Sequence, residues 1–350
     1  MSETTATRAT DERLLRVSLL TRLLTRPDIG ALAGAVAVFL LFTYFASKNG
    51  NDWFSWNDAV QWTDESAQYG IVAVPVALLM IGGEFDLSAG VMIGSTGLLL
   101  GYLSTFEHLN IWAAIPLVLL FGVVIGLVNG ITVIKTKLPS FIVTLGTFFI
   151  LQGLNAALTL KLTGATAISD LDSASGFNSA YRWFSSTVWS PHDFKVKVIW
   201  WIGITAIGAW VLARTRFGNW IFAVGGDPVA ARNVGVPVAF TKVALFVATS
   251  VVASLLGIIE ALELRSTQAA EGIGREFYFI ISAVVGGCLL TGGYGSVIGA
   301  SLGAAILGMG SVGIIFAAWD SNYTYTFLGG ILMLAVLLNT AIRSRASKSR

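Results

Sequence analysis

Residues 111–134, IWAAIPLVLLFGVVIGLVNGITVI, contain no Asp, Glu, Lys or Arg. About 20 predominantly apolar residues carry an α-helix across the hydrocarbon core of a bilayer, with about 17–25 tolerated, so this stretch reads as one membrane crossing. The same criterion picks out Gly30–Ser47, Ser66–Gly83, Leu87–Phe106, Leu138–Leu160, Val198–Ala213, Val243–Ile259 and Ser321–Ile342. The uncharged stretch Phe277–Trp319 is too long for one crossing and carries the Gly-rich break Thr291-Gly-Gly-Tyr-Gly295, so it reads as two. The expected fold is therefore all-α: a polytopic membrane protein of about ten transmembrane helices, packed through glycine. Val198–Ala213 and the piece before Thr291 are short for full crossings, which tilt or a broken helix would explain.

Composition points the same way. Of 350 residues, 55% are hydrophobic and 12% charged, against roughly 25% charged in an ordinary soluble domain. The formal net charge of +2 is too balanced for a basic face that holds nucleic acid. One cysteine, Cys288, excludes an internal disulfide, and two distant histidines, His108 and His192, make a Cys/His metal or nucleophile site improbable.

Cytoplasmic segments of membrane proteins are enriched in Lys and Arg. With ten crossings both termini share one side. If that side is the cytoplasm, the inner pieces 1–29, 135–137, 214–242 and 343–350 hold 15 of the 22 basic residues with 5 acids, and the outer pieces hold 7 with 12 acids. This bias supports both termini inside. It divides the chain into a cytoplasmic amphipathic segment at 1–29, a transmembrane domain at 30–342 with a cytoplasmic loop at 214–242, and a basic tail at 343–350. Arg13, Arg16, Arg22 and Arg26 recur among leucines in the first segment, the pattern of a helix lying on lipid. No small-residue cleavage site closes the first apolar run, so it reads as a retained span and not a signal peptide.

Gly122, Gly126 and Gly130 recur every fourth residue, as do Gly295, Gly299 and Gly303. Such small-residue faces let helix backbones approach, and intramolecular packing is the expected use. Two segments share a shape, Gly82-Gly83 running on to Gly90 and Gly94, and Gly286-Gly287 running on to Gly299. Both fall where one span hands over to the next on the same side, which makes an internal repeat conceivable.

Two polar features carry candidate chemistry. Glu84 and Asp86 lie between two apolar stretches, where a lipid-facing carboxylate would be costly. Asp86 is placed to cap the helix that follows, with a part in gating or ion binding as the alternative reading, and Glu260 is expected near the outer interface. In the inner loop, Asp227-Pro228 is a helix-start signal, and Val229–Val234 forms about a turn and a half before Gly235 stops it. Phe222, Ala223, Val224, Ala230, Ala231 and Val234 would give this short helix an apolar knob for a partner's groove.

Four blocks in order make the chain resemble the permease subunits of bacterial ABC importers for monosaccharides, of the ribose, xylose and galactose type, within a wider group that includes branched-chain amino-acid permeases. They are the Gly-Gly…Asp-Leu-Ser-x-Gly pattern at 82–90, Lys137-Leu-Pro-Ser-Phe-Ile-Val-Thr-Leu-Gly-Thr147, Phe217-Gly…Ala-Val-Gly-Gly-Asp-x-x-Ala-Ala-Arg232, and Gly272 through Gly299. The resemblance implies a bacterial inner-membrane pore made of two copies, or of this chain and a paralogous permease. It also implies a cytoplasmic ABC ATPase that binds ATP and Mg, and an extracytoplasmic sugar-binding protein. This chain itself would hold no cofactor. It further implies that Gly218, Gly225, Gly226, Asp227, Ala230, Ala231, Arg232 and Gly235 couple to the ATPase, and that Gly83, Glu84, Asp86, Leu87, Ser88, Ser140, Phe141 and Thr144 shape the path or its gates. The family commonly reads Gly-Gly-Ile-Asp-Leu-Ser, where this chain reads Gly82-Gly-Glu-Phe-Asp-Leu-Ser88, with one additional residue and a second acid. Asn129, Gln152 and Asn155 add hydroxyl-friendly groups, although such residues also join transmembrane helices. In the long outer segment 161–197, Tyr181, Trp183, Phe184 and Trp189 read as an interfacial aromatic belt ahead of a docking surface.

No GxxxxGK[ST] loop occurs, so nucleotide phosphates are not cradled in that way. The competing reading is an ion-coupled secondary transporter using Glu84, Asp86 and Glu260. An intramembrane enzyme would need a paired nucleophile and base, which the sequence does not offer. Branched-chain amino acids and nucleosides stay open as solutes alongside sugars.

Overall fold

The computed structural model describes residues 27–348 except 52 and 54, with side chains through 338. The expected amphipathic helix with Arg13, Arg16, Arg22 and Arg26 lies outside the described residues. Among the described residues thirteen α-helices follow one another: α1 Pro27–Lys48, α2 Trp56–Ile81, α3 Ser88–Gly101, α4 Ile111–Thr136, α5 Ser140–Thr163, α6 Phe177–Phe184, α7 Val196–Arg214, α8 Arg216–Gly226, α9 Pro228–Asn233, α10 Val238–Leu264, α11 Arg275–Val285, α12 Val297–Phe316 and α13 Tyr323–Lys348. A π-helical turn, Tyr102–Phe106, prolongs α3.

Eight of these helices are long and apolar enough to cross a membrane: α1, α2, α3 with its π-turn, α4, α5, α7, α10 and α12. The apolar part of α13 is shorter, Tyr323–Leu338. The tenth segment is α11, which has 11 residues. At about 1.5 Å rise per residue it covers roughly half of a ~30 Å hydrocarbon core, so it is the broken helix expected before Thr291. The other suspect, Val198–Ala213, extends to the 19 residues of α7 and needs no break.

Charge-free windows placed some helix ends too far in. Helix α2 begins at Trp56, ten residues before Ser66, because Ser55 caps it by accepting from the Asp58 amide and its charged outer turns continue the same backbone ladder. Helix α10 likewise continues past Ile259 through Glu260 and Glu263 to Arg265, which takes the left-handed conformation that stops it.

The centre of the bundle is α2, whose residues 66–67 and 69–81 are all buried. It lies against α12, α7, α11 and α10, while α10 in turn packs against α4 and α3. A helix apolar on every side has no solvent face and is stable only in such a position. Gly122, Gly126 and Gly130 line the α4–α10 contact, where a Cβ on Gly126 would stand 2.5 Å from the Val247 Cα. The α4 stripe is thus intramolecular packing. Gly299 and Gly303 of α12 press on the backbone of α11 in the same manner, whereas Gly295 precedes the helix and belongs to the loop.

The segment 161–197, expected outside, is ordered by β1 Ala167–Ile168 pairing antiparallel with β4 Thr267–Gln268, by β2 Thr187–Val188 pairing with β3 Phe194–Lys195, and by α6. Phe184 is buried and stacks on Trp200 with ring centroids 5.5 Å apart, so it is core and not part of an aromatic belt. Trp183 and Trp189 are exposed.

Candidate translocation gate and coupling surface

The two Gly-Gly segments build the same break. Helix α2 ends at Gly82 (φ −70°, ψ −1°) and α11 at Gly286 (φ −71°, ψ 0°), each followed by a left-handed glycine, Gly83 (φ 82°) and Gly287 (φ 91°). In both, the next amide closes back onto the last turn: Glu84 N–H donates to the Leu79 carbonyl at 3.1 Å and Cys288 N–H to the Ala283 carbonyl at 2.9 Å. This is the Schellman pattern, which needs a residue free to adopt positive φ and leaves carbonyls satisfied where a helix stops inside a protein.

The segment 82–88 between α2 and α3 is tied down on several sides. Ser140 Oγ accepts from the Phe85 amide at 3.0 Å and Thr144 Oγ1 from the Leu87 amide at 3.1 Å. Asp86 Oδ1 accepts from both the amide and the hydroxyl of Ser88, at 2.8 and 2.5 Å. Asn129 of α4 donates to Ser88 Oγ at 3.0 Å and accepts from Thr147 Oγ1 at 2.6 Å. The 82–90 and 137–147 blocks are therefore one buried polar network, with Asn129 as the third strut. Asp86 does bond an orphan amide of α3, but from one position before the cap residue Leu87. Asp86 Oδ2 has no hydrogen-bond partner. Glu84 is buried and paired with Lys242 in the first turns of α10.

The remaining path candidates sit apart from this network. Phe141 stands on the exposed face of α5, Gln152 is half-buried, and Asn155 is buried with its Nδ2 lacking a hydrogen-bond partner. Asn155 lines a largely apolar cavity of about 390 Å³ between α3, α4 and α5. Thr147 was missed as a site residue, although its spacing from Ser140 and Thr144 on α5 puts it within reach of Asn129.

Helices α8 and α9 form the loop expected on the inner side. Thr215 caps α8 by accepting from the Gly218 amide at 3.1 Å, and Asp227 caps α9 by accepting from the Val229 and Ala230 amides at 2.8 and 3.0 Å. Gly235 (φ 86°) ends α9. The expected knob is corrected by burial: Val224 and Ala231 pack inward with Val238 as a small core of their own, while Val229, Ala230, Arg232 and Val234 face out. Val229 had not been counted. Its exposure follows from the Asp227 cap, which fixes the helix phase so that Ala231 turns toward Val224.

The end of α8 fits between the two breaks. A Cβ on Gly225 would overlap the Ile81 carbonyl oxygen and stand 2.7 Å from the Gly293 amide nitrogen, and that amide donates to Ile81 O at 2.8 Å. Gly292 and Gly293 also abut Gly83 and Gly226. Inner loop, first break and second break thus meet backbone to backbone.

At the end expected to face out, two basic residues hold four acids. Lys197, 3% exposed, bridges Asp64 at 3.0 Å and Glu263 at 3.1 Å, and Arg275 holds Glu260 and Glu271. Of the three acids a secondary transporter would use, Glu84 and Glu260 are therefore in ion pairs. Among the described residues no group of three His, Cys, Asp or Glu could hold a metal ion.

A bundle of crossing helices with two glycine breaks and a capped surface helix joined to both defines a polytopic membrane permease. The chain belongs to the family described as branched-chain amino acid transport system / permease component, whose model matches residues 59–337. It is similar to the ribose import permease protein RbsC of Escherichia coli, 30% identical over 308 residues covering 87% of this chain and 92% of the relative. It is also similar to the galactose/methyl galactoside import permease protein MglC of Salmonella typhimurium, 33% identical over 283 residues, 77% of this chain and 82% of the relative. The probable ABC transporter permease protein YphD of Escherichia coli is 30% identical over 324 residues, 92% of each chain. No solved structure matches this chain.

Proposed function

We propose that this chain is the inner-membrane, non-catalytic permease subunit of an ATP-driven importer. It would form, with a second copy or a paralogous permease, the path for a monosaccharide delivered by an extracytoplasmic binding protein. ATP and Mg act on a separate cytoplasmic ABC ATPase that docks on Val229, Ala230, Arg232 and Val234. The observation that carries this reading is the contact of Gly225 with Ile81 and Gly293. A push on α9 reaches both helix breaks through backbone alone, with no flexible side chain to absorb it. The network of Asp86, Ser88, Asn129, Ser140, Thr144 and Thr147 is then the polar lock that such a push would rearrange. The names of the relatives, ribose and galactose import permeases, favour a sugar over an amino acid or nucleoside.

The test is Val229→Glu, at a residue 71% exposed. The variant should insert and fold as the parent does, yet lose co-purification with the ATPase and ATP-dependent sugar uptake. Unchanged association and uptake would refute the docking role of α9.

A further inference from the structure

A second polar place in the fold is unassigned by anything above. At the outer end, α2, α11 and α13 enclose a cavity of about 620 Å³, within the range of roughly 300–1,000 Å³ typical of small-molecule sites. Glu65 and Gln68 of α2, Arg275 and Tyr278 of α11, and Tyr325 of α13 line it. The cavity between α7 and α12 and the one beside Asn155 are walled mostly by aliphatic side chains, unlike this one.

Its groups are held in place. Arg275 is fixed by Glu260 at 2.5 Å and Glu271 at 3.5 Å. The Gln68 amide oxygen, turned toward the guanidinium, accepts from Nη1 and Nη2 at 2.9 and 3.1 Å. The arginine's charge is thereby neutralised and its Nη hydrogens are taken up by Glu260, Glu271 and Gln68, so its part in the wall is to hold Gln68 in one orientation. Gln68 keeps its amide nitrogen as a donor. Glu65 accepts from the Tyr69 hydroxyl at 2.5 Å, and Tyr69 stacks on Tyr278 with centroids 4.9 Å apart and planes 27° from parallel. Stacking on a buried neighbour fixes the Tyr278 ring, so little rotamer freedom is lost when a ligand arrives. Ile281 and Leu328 complete the lining with apolar surface.

We infer that this outer cavity binds a single neutral monosaccharide, as a receiving station ahead of the gate. The inference rests on the importer reading and adds a site to it. A sugar ring offers hydroxyls that both donate and accept, together with a face of C–H groups. The cavity offers an acceptor carboxylate at Glu65, an amide donor at Gln68, phenols that do both, and tyrosine faces for the C–H side. Hydrogen bonds from neutral hydroxyls to fixed charged groups are among the stronger ones. The position suits the task, because Arg275 opens α11 and Tyr325 lies in the first turn of α13, both at the outer end of their helices.

The test uses the full chain in nanodiscs and ligand-observed saturation-transfer NMR with D-ribose, D-xylose and D-galactose, with choline as a cationic control. The variants are Glu65→Gln, which keeps an acceptor for Tyr69, and Tyr325→Ala, at an exposed position. Wild-type protein is expected to bind at least one of the sugars and not choline. Glu65→Gln should weaken that binding about tenfold through loss of a charge-assisted hydrogen bond, and Tyr325→Ala several-fold, with both variants eluting as the parent does. Sugar binding unchanged in both variants, or choline binding in place of sugar, would overturn the inference. The same variants, assembled with the ATPase and binding protein, separate the two ideas. Sugar uptake by the wild-type importer that is unaffected by either variant removes the cavity assignment alone, whereas absence of monosaccharide uptake by the wild-type importer removes the function on which it rests.

Discussion

Gly225→Ala compared with Gly226→Ala is the sharpest test of how the inner loop meets the helix breaks. The two positions are adjacent, carry the same side chain and end the same helix, yet their surroundings are opposite. A Cβ at 225 collides with the Ile81 carbonyl and comes within 2.7 Å of the Gly293 nitrogen, while a Cβ at 226 has nothing within 4 Å. The clash at 225 is with backbone, so relief requires the breaks to move apart. Overpacking of this kind costs about 1–3 kcal/mol. Loss of the 2.8 Å bond from Gly293 N–H to Ile81 O leaves a buried pair unsatisfied, for about 1–3 kcal/mol more. Gly226→Ala removes only backbone freedom and should be neutral or stabilising by roughly 0.5–1 kcal/mol. The readout is the fraction of monodisperse protein left after a heating series in one detergent at one scan rate, because unfolding of such proteins is irreversible. Gly225→Ala should lower the apparent Tm by about 5–10 °C and Gly226→Ala should not lower it. Equal behaviour of the two variants would refute the tight junction, and with it the backbone route from α9 to the breaks.

Other expectations follow from the same geometry. Lys242→Ala strands the buried Glu84 carboxylate and should destabilise the protein by about 3 kcal/mol, with much of the loss recovered in the Glu84→Gln/Lys242→Met double variant, both read by the same heating series. Asp86→Ala removes the acceptor of both Ser88 hydrogen bonds and should destabilise the protein by about 1–3 kcal/mol, whereas Asp86→Asn, which keeps an acceptor oxygen, should cost less. Ala231→Glu places a charge in the Val224–Val238 cluster and should reduce the yield of folded protein, whereas Arg232→Glu on the exposed side should spare folding and weaken ATPase co-purification.

Much of this architecture could be read from the chain because lipid imposes a simple rule: crossings are long and apolar, and charge marks their ends. The rule fails where a helix is also protected by protein. Trp56–Glu65 carries Asp58, Asp64 and Glu65 and so escaped a charge-free search, yet Asp64 is compensated by Lys197 from α7, a partner far away in sequence. The short segment before Thr291 was visible through the Gly-rich break at 291–295, although the helix itself stops earlier, with Gly286 as its cap. The site was legible in part. The Asp227-Pro228 start signal located α9 to the residue, but which side of a six-residue helix is buried depends on Val224 and Val238, which lie outside it. Ser140 and Thr144 were found through their block, while the closing member of the network, Thr147, and the ion pair of Glu84 with Lys242 depend on how α4, α5 and α10 converge on the first break. The outer cavity was not legible at all, because Glu65, Arg275 and Tyr325 come from three distant segments.

The central claim is that transport through this chain is driven by an ATPase docked at α9. The direct measurement is monosaccharide uptake into proteoliposomes, comparing the chain alone under a proton or sodium gradient with the chain assembled with its co-purifying ATPase and binding protein and supplied with ATP. The account predicts uptake only in the second case, abolished by Val229→Glu. Uptake by the chain alone, driven by an ion gradient, would contradict it and return Asp86 and Glu84 to the role of coupling acids.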